Sequence, residues 1–333
     1  MTTLTATNPT MLDWKQSLDP NGQAATVIEM LHETNEVLAD ITFMEGNLPT
    51  GHRTVIRTGL PTPTWRKLYG GVQPNKSQRA QVTDTCGMME AYNEVDKALV
   101  DLASDGNAFR LSEAAAEIEG MSQELAMTLF YGDETSTPEK FTGFSPRFNS
   151  STAANADNVI KGGSNDTDNA SIWLVGWGPN TCHGIVPKGS QMGIQVNDKG
   201  QVTVENADGA NGRMEAYRMH FRLDCGLCVR DWRYVVRICN IERSALTADA
   251  SSGANLPDLM FEAMERLPSL SGNIRPVFYM DRSLRTKFRQ QLAALTKQST
   301  LSYENVGGHK AMMFNEIPIR RVDALAADEA LVS

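Results

Sequence analysis

Residues 52–83, HRTVIRTGLPTPTWRKLYGGVQPNKSQRAQVT, carry six cations (Arg53, Arg57, Arg66, Lys67, Lys76 and Arg79) and no acid. Pro61-Thr62-Pro63 separates two limbs, 52–60 and 65–83, and Gly70-Gly71 marks a second turn, so the stretch reads as a long hairpin or extended loop. Its apolar residues, Val55, Ile56, Trp65, Leu68, Tyr69 and Val72, cannot form a core by themselves. An isolated two-stranded hairpin is marginal in water, so another surface must hold it.

The surrounding chain has the opposite charge. Residues 1–51 carry a net charge of -6 and residues 84–134 one of -10, within a 333-residue chain of net charge -9. That balance argues against a protein whose main partner is a phosphate backbone. The basic loop lies between two acidic blocks and is expected to meet a protein surface. With 41% hydrophobic residues the chain can build a substantial core, of one large body or about two domains. No apolar run approaches the ~20 residues of a membrane span, and the first residues lack the basic start and apolar middle of a signal peptide. Synthesis in the cytosol and no membrane contact are expected. Five unevenly spaced cysteines (Cys86, Cys182, Cys225, Cys228, Cys239) do not form a disulfide framework.

Outward from the loop, residues 2–21 read as an extended arm, and apolar spacing from Val27 to Ile41 predicts an amphipathic helix over 23–41. Downstream, Thr85 is a candidate N-cap for a helix bearing Met89, Tyr92, Val95, Leu99 and Leu102. A longer helix is predicted from Leu111 to Tyr131, with Leu111, Ala115, Ile118, Ser122, Leu125 and Leu129 inward and Gly132 as its stop. Its other face carries Glu113, Glu117 and Glu124, a candidate acidic partner for the basic loop. Residues 133–169 are rich in loop formers. Strands are predicted at 172–177, 183–186, 217–224, where apolar residues alternate with Arg218, His220, Arg222 and Asp224, and 232–241, with turns at Asp198-Lys-Gly200 and Asp208-Gly209. From Asn255 the order helix, strand (276–280), helix capped by Asp281, strand (317–322) suggests a second α/β unit.

Catalytic motifs are sparse. Cys225-Gly-Leu-Cys228 has the spacing of a redox or zinc pair, with Cys182-His183 as a completion, but residues three apart on a strand point to opposite faces. Buried small side chains are the expected role of these cysteines. Gly176-Trp-Gly178, Gly307-Gly308 and Lys188-Gly-Ser190 are not phosphate loops, and Ser190 does not sit in a nucleophile elbow. No catalytic residue, cofactor or metal ligand set is assigned.

The segments IWLVGWGPNTCHGIVPKGSQMG (172–193), CGLCVRDWRYVVRICNI (225–241), RPVFYMDRSLRTKFRQQ (275–291) and IPIRRVDAL (317–325), with the long acidic helix ending in LFYGD, resemble the major capsid proteins of tailed bacteriophages, in particular podophage-like members. The resemblance spans about residues 25–325 and implies an α+β chain with the Hong Kong 97-like capsid fold. On that fold residues 1–46 would be the N-terminal arm and helix, 47–84 the extended loop, and 85–170 the peripheral domain with its spine helix. Residues 171–250 would be a β-rich segment shared between peripheral and axial domains, and 251–333 the axial α/β unit. A rearranged segment order is expected, because the segments resembling 275–291 and 317–325 usually precede the one resembling 172–241.

The implied function is structural: self-assembly into pentamers and hexamers of an icosahedral virion shell, built in the bacterial cytoplasm around double-stranded DNA without sequence-specific binding. A portal and a cement or scaffolding protein are the implied partners. Arg53, Arg57, Trp65, Arg66, Lys67, Tyr69, Lys76 and Arg79 are the expected contacts to a neighbouring copy. Two alternatives are a cytosolic thiol or metal-dependent enzyme using Cys225 and Cys228, and a nucleic-acid binder using 52–83.

Overall fold

The computed structural model describes residues 33, 35–102, 105–163, 168–205, 212–270, 272–294, 301–306, 309–325 and 328–333. The expected arm, residues 23–32 and 34 of the helix expected over 23–41, and the turn at Asp208-Gly209 lie outside these residues. Of its described residues only Val37–Asp40 are helical, forming α1.

In chain order the strands are β1 (Phe43–Glu45), β2 (Gly51–Gly59), β3 (Gln78–Asp96), β4 (Val159–Lys161), β5 (Asn169–Trp177), β6 (Cys182–Val186), β7 (Gln195–Glu205), β8 (Arg213–Val229), β9 (Val235–Glu242), β10 (Arg275–Met280), β11 (Leu301–Val306), β12 (His309–Phe314) and β13 (Ile317–Arg321). The other helices are α2 (Lys97–Leu102), α3 (Gly106–Tyr131), α4 (Phe144–Arg147), α5 (Leu256–Glu265) and α6 (Arg282–Ala294). They fall into two compact units. One holds Met88–Leu125 and Gln191–Asp224; the other holds Thr34–Gly87, Ala126–Ser190 and Cys225–Ser333.

The larger unit is built on β5, all nine residues of which are buried. It pairs antiparallel with β9 on one side and β10 on the other, and Trp177 bridges to Cys182 of β6. A strand buried along its whole length needs cover on both faces, and the two-residue period supplies two different covers. Ile172 and Leu174, with Val236, Ile238, Phe278 and Met280, face an apolar core made by Leu256, Met260 and Met264 of α5 and Leu284 and Phe288 of α6. Trp173, Trp177 and Tyr279 point the other way, into Phe130, Phe144 and Phe148, with ring centroids 5.7–6.5 Å apart. The Trp177 indole donates to the Tyr279 hydroxyl at 2.7 Å, which satisfies the polar edge of a buried ring. β10 and β13 thus join the same sheet as β5, since β10 pairs with β5 and β13 lies parallel to β10.

Arg237 alone on β9 carries a charge into this core. Its guanidinium donates to Glu329 at 2.7 Å, to Ser171 Oγ at 3.1 Å and to the Phe148 carbonyl at 2.9 Å, and lies over the Trp173 ring. Glu329 also accepts from Tyr131 and Ser171. The buried ion pair is therefore satisfied on both sides, and it ties the last residues of the chain to β5 and β9.

In the smaller unit β7 and β8 form an antiparallel pair from Gln195↔Arg222 to Glu205↔Arg213. Asp198-Lys-Gly200, expected as a turn, is a bulge within β7. Gly200 takes φ 69° there and its N–H donates to the Asp198 carboxylate. The polar face expected on β8 is paired: Arg218 with Glu94 at 2.6 Å, and His220 with Glu90 at 3.2 Å while stacked on Tyr92. Arg110 of α3 holds Asp198 with two bonds of 2.9 and 3.0 Å over the Tyr217 ring.

Two helix expectations change. The helix predicted from Thr85 is a strand as far as Asp96, and only Lys97–Leu102 is helical, capped by the Asp96 carboxylate at Ala98 N–H. Met89, Ala91, Asn93 and Val95 form its inner side, a two-residue period hidden by a polar Asn and a small Ala. The long helix is real and starts earlier, at Gly106, with Asp105 accepting from the N–H groups of Asn107 and Ala108. Its buried stripe coincides with the predicted one only at Leu129. Leu111 is 70% exposed, and Phe109, Ala114, Met121, Ala126 and Phe130 are the other buried apolar residues. Contact depends on what surrounds the helix, and Ala can face a neighbour where Leu faces solvent.

Candidate assembly interface

The basic stretch forms a hairpin whose strands are paired at the root and whose tip is irregular. β2 and β3 pair from Gly51↔Thr85 to Arg57↔Arg79, with an irregularity at Arg57/Gly59. The limbs are shorter than the sequence suggested. Residues 60–77 belong to no strand, and the tip turn lies at Lys67–Gly70, where the Gly70 N–H donates to the Lys67 carbonyl and Tyr69 adopts φ 61°. A left-handed conformation is unusual for tyrosine.

All eight predicted contact residues are exposed, Trp65 and Tyr69 at 103% and 101%, and Leu60 and Leu68 project with them. Arg53 donates to the Thr83 hydroxyl, and among the described residues none of the six cations makes an ion pair with an acid. Arg57 directly opposes Arg79, a cross-strand pair of like charge that weakens an isolated hairpin. The predicted acidic partners Glu113, Glu117 and Glu124 are half-buried on α3.

The root is anchored. Asp84, the first acid after the cation-rich run, is buried and accepts from Arg147 Nη1 at 2.7 Å. Arg147 also donates to the carbonyls of Thr142, Gly143 and Leu227. Asn47 brackets Arg53 like a short strand, donating to its carbonyl and accepting from its N–H, both at 2.7 Å. Gly51 must be glycine, because a Cβ there would stand 2.1 Å from the Asp84 carbonyl oxygen. None of these anchors was singled out from sequence. The one signal is that Asp84 ends the acid-free run.

Beside the root lie His52, His183 and Cys228, brought together from β2, β6 and β8 with one ligand-type atom each within 4.8 Å of the others. The completion weighed from sequence joined Cys182-His183 to Cys225 and Cys228. The fold selects only His183 and Cys228, which are register partners, and adds His52. Burial pushes the thiols of Cys182, Cys228 and Cys239 up, so none is an activated nucleophile. Burial, with help from neighbouring His52, lowers the His183 pKa to about 4 and keeps its ring neutral.

The family model for the major capsid protein GP7 matches residues 19–333. The chain belongs to this family. A chain of the bacteriophage Epsilon15 structure is 33% identical with a TM-score of 0.75, and the match covers 100% of both chains. The procapsid of bacteriophage JBD30 gives 14% identity and a TM-score of 0.44 over 87% of this chain and 92% of that one. The capsid of a native GTA particle gives 11% and 0.45 over 67% and 95%. Neither of these two adds to the argument. No curated protein matches. This is a structural capsid protein with the Hong Kong 97-like α+β fold, not an enzyme, and it works as a multimeric shell of the virion. Neither the enzyme nor the nucleic-acid-binding alternative is favoured.

Proposed function

We propose that the hairpin 51–85 is the extended loop by which each copy of this capsid protein grips the next in an icosahedral head around a double-stranded DNA genome. The observation that carries the reading is an apolar and cationic tip, with Trp65 and Tyr69 fully exposed, on a root held by buried groups. A rigid stem bearing uncovered aromatics is suited to insertion elsewhere, since aromatic anchors dominate interface energetics. The loop's cations dock on the Glu113, Glu117 and Glu124 face of α3 in a neighbouring copy. Exposed ion pairs contribute only about 0–1 kcal/mol each, so strength comes from repetition around pentamers and hexamers and from the aromatic anchors. The unit holding α3, β7 and the first part of β8 serves as the peripheral domain, and the β5 sheet as the axial one. Shells form in the host cytoplasm with a portal and a cement or scaffolding protein, and enclose DNA without reading its sequence.

Replacing Arg53, Arg57, Arg66 and Lys67 together by Glu tests this. The expected product is a folded subunit, with unchanged circular dichroism, that forms no shells in electron micrographs. Normal shells from that variant would sink the reading.

A further inference from the structure

The cluster beside the hairpin root has the chemistry of a metal site. His183 is 1% exposed, and its buried Nδ1 has no hydrogen-bond partner among the described residues. Such an atom costs about 1–3 kcal/mol if left unsatisfied. Nδ1 is therefore the ring nitrogen left open to a ligand, and in the tautomer that carries its proton on Nε2 it presents a lone pair. Such a lone pair is what a metal-binding histidine offers. Cys228, across from His183 in the β6–β8 register, is fully buried. His52 closes the third side at the partly exposed edge of β2. Asp84 stands beside Cys228 with a buried Oδ2 that also lacks a partner among the described residues, while its Oδ1 is taken by Arg147.

We propose that His52, His183 and Cys228 bind a zinc-class divalent cation that pins the root of the extended loop to the sheet. Two imidazoles and a thiolate are a donor set that suits zinc, and the fourth position is left to water or to the unpartnered Asp84 oxygen. Binding breaks the Cys228 S–H bond, forms a sulfur–metal bond and releases the proton to solvent. Ligation through His52 Nε2 also moves that ring's proton to Nδ1. The 3.3 Å hydrogen bond that Nδ1 accepts from the Asn47 N–H is then given up, and since Asn47 is exposed, water can replace it. The site would be structural: its ligands come from β2, β6 and β8, so one ion cross-links the loop to strands more than a hundred residues away.

The test uses the full-length protein, purified without chelator and again after chelation and reloading with zinc or cobalt. Elemental analysis is expected to give one zinc per subunit. Cobalt-loaded protein should show a thiolate-to-cobalt charge-transfer band. His52→Ala, His183→Ala and Cys228→Ser should each lose the band and weaken zinc binding by about 100-fold or more, at least the loss expected for a second-shell change. Cys225→Ser, outside the cluster, should keep both. Because His52 lies at the partly exposed edge, its variant remains informative even where the two buried ones fail to fold. Absence of stoichiometric zinc, lack of the charge-transfer band, or retention of zinc in His52→Ala would each overturn the proposal, and all three readouts are independent of shell assembly.

Discussion

Trp173 and Trp65 are the same residue in opposite surroundings. Trp173 lies at the centre of β5 between Phe130, Phe144 and Phe148 with none of its surface in water, whereas Trp65 stands at the hairpin tip with all of it exposed. A buried aromatic contributes to the stability of the chain that contains it. An exposed one at the end of an anchored stem contributes to the stability of whatever it docks against. In a shell protein both kinds are needed, and the division between them is the division between folding and assembly.

The most severe test of that division is truncation at the core. Trp173→Ala should lower unfolding free energy by about 3–5 kcal/mol, read by denaturant titration, while Trp65→Ala with Tyr69→Ala should leave it within about 0.5 kcal/mol and abolish shell formation. A tip variant that unfolds the subunit would break the comparison. Next comes the buried ion pair: Glu329→Ala strands Arg237 and should cost about 3–5 kcal/mol, whereas Arg237→Met with Glu329→Leu should recover much of it. At the hairpin root Asp84→Asn removes the charge facing Arg147, and a loss of about 1–3 kcal/mol is expected. Hydrogen exchange at β2 should rise more than at β5; equal protection would mean that Asp84 does not anchor the loop. The smallest effect is ionic. Raising salt should slow the first assembly steps without shifting the denaturation midpoint, since exposed charges are screened over about 10 Å at 0.1 M while the core is not.

How much of this was readable in advance follows from where the physical information lies. The strands at 172–177, 183–186 and 276–280 were legible because long apolar runs must be buried wherever they go. The cation-rich loop was legible because six charges without an acid cannot be neutralised locally. The helix expected from Thr85 was misread because Asn93 and Ala91 stand on the inner side of β3, and an inward Asn becomes intelligible only beside its neighbours. The stripe of α3 was misplaced for the related reason that apolar character marks a preference for burial, not the position of the neighbour. The root anchors were illegible: Asp84 and Arg147 are 63 residues apart, and His52, His183 and Cys228 belong to no local spacing.

Sequence by itself determined the charge contrast, the strands of the core, the long helix with its stop at Gly132 and the resemblance to a capsid family, because these rest on composition and short-range periodicity. Tertiary structure alone decided which faces are inward, that Asp84 is seated on Arg147, and that two histidines and a cysteine from three strands share one small volume. Those outcomes depend on register between distant strands, and register is set by the packing of the whole unit rather than by any residue's nearest neighbours.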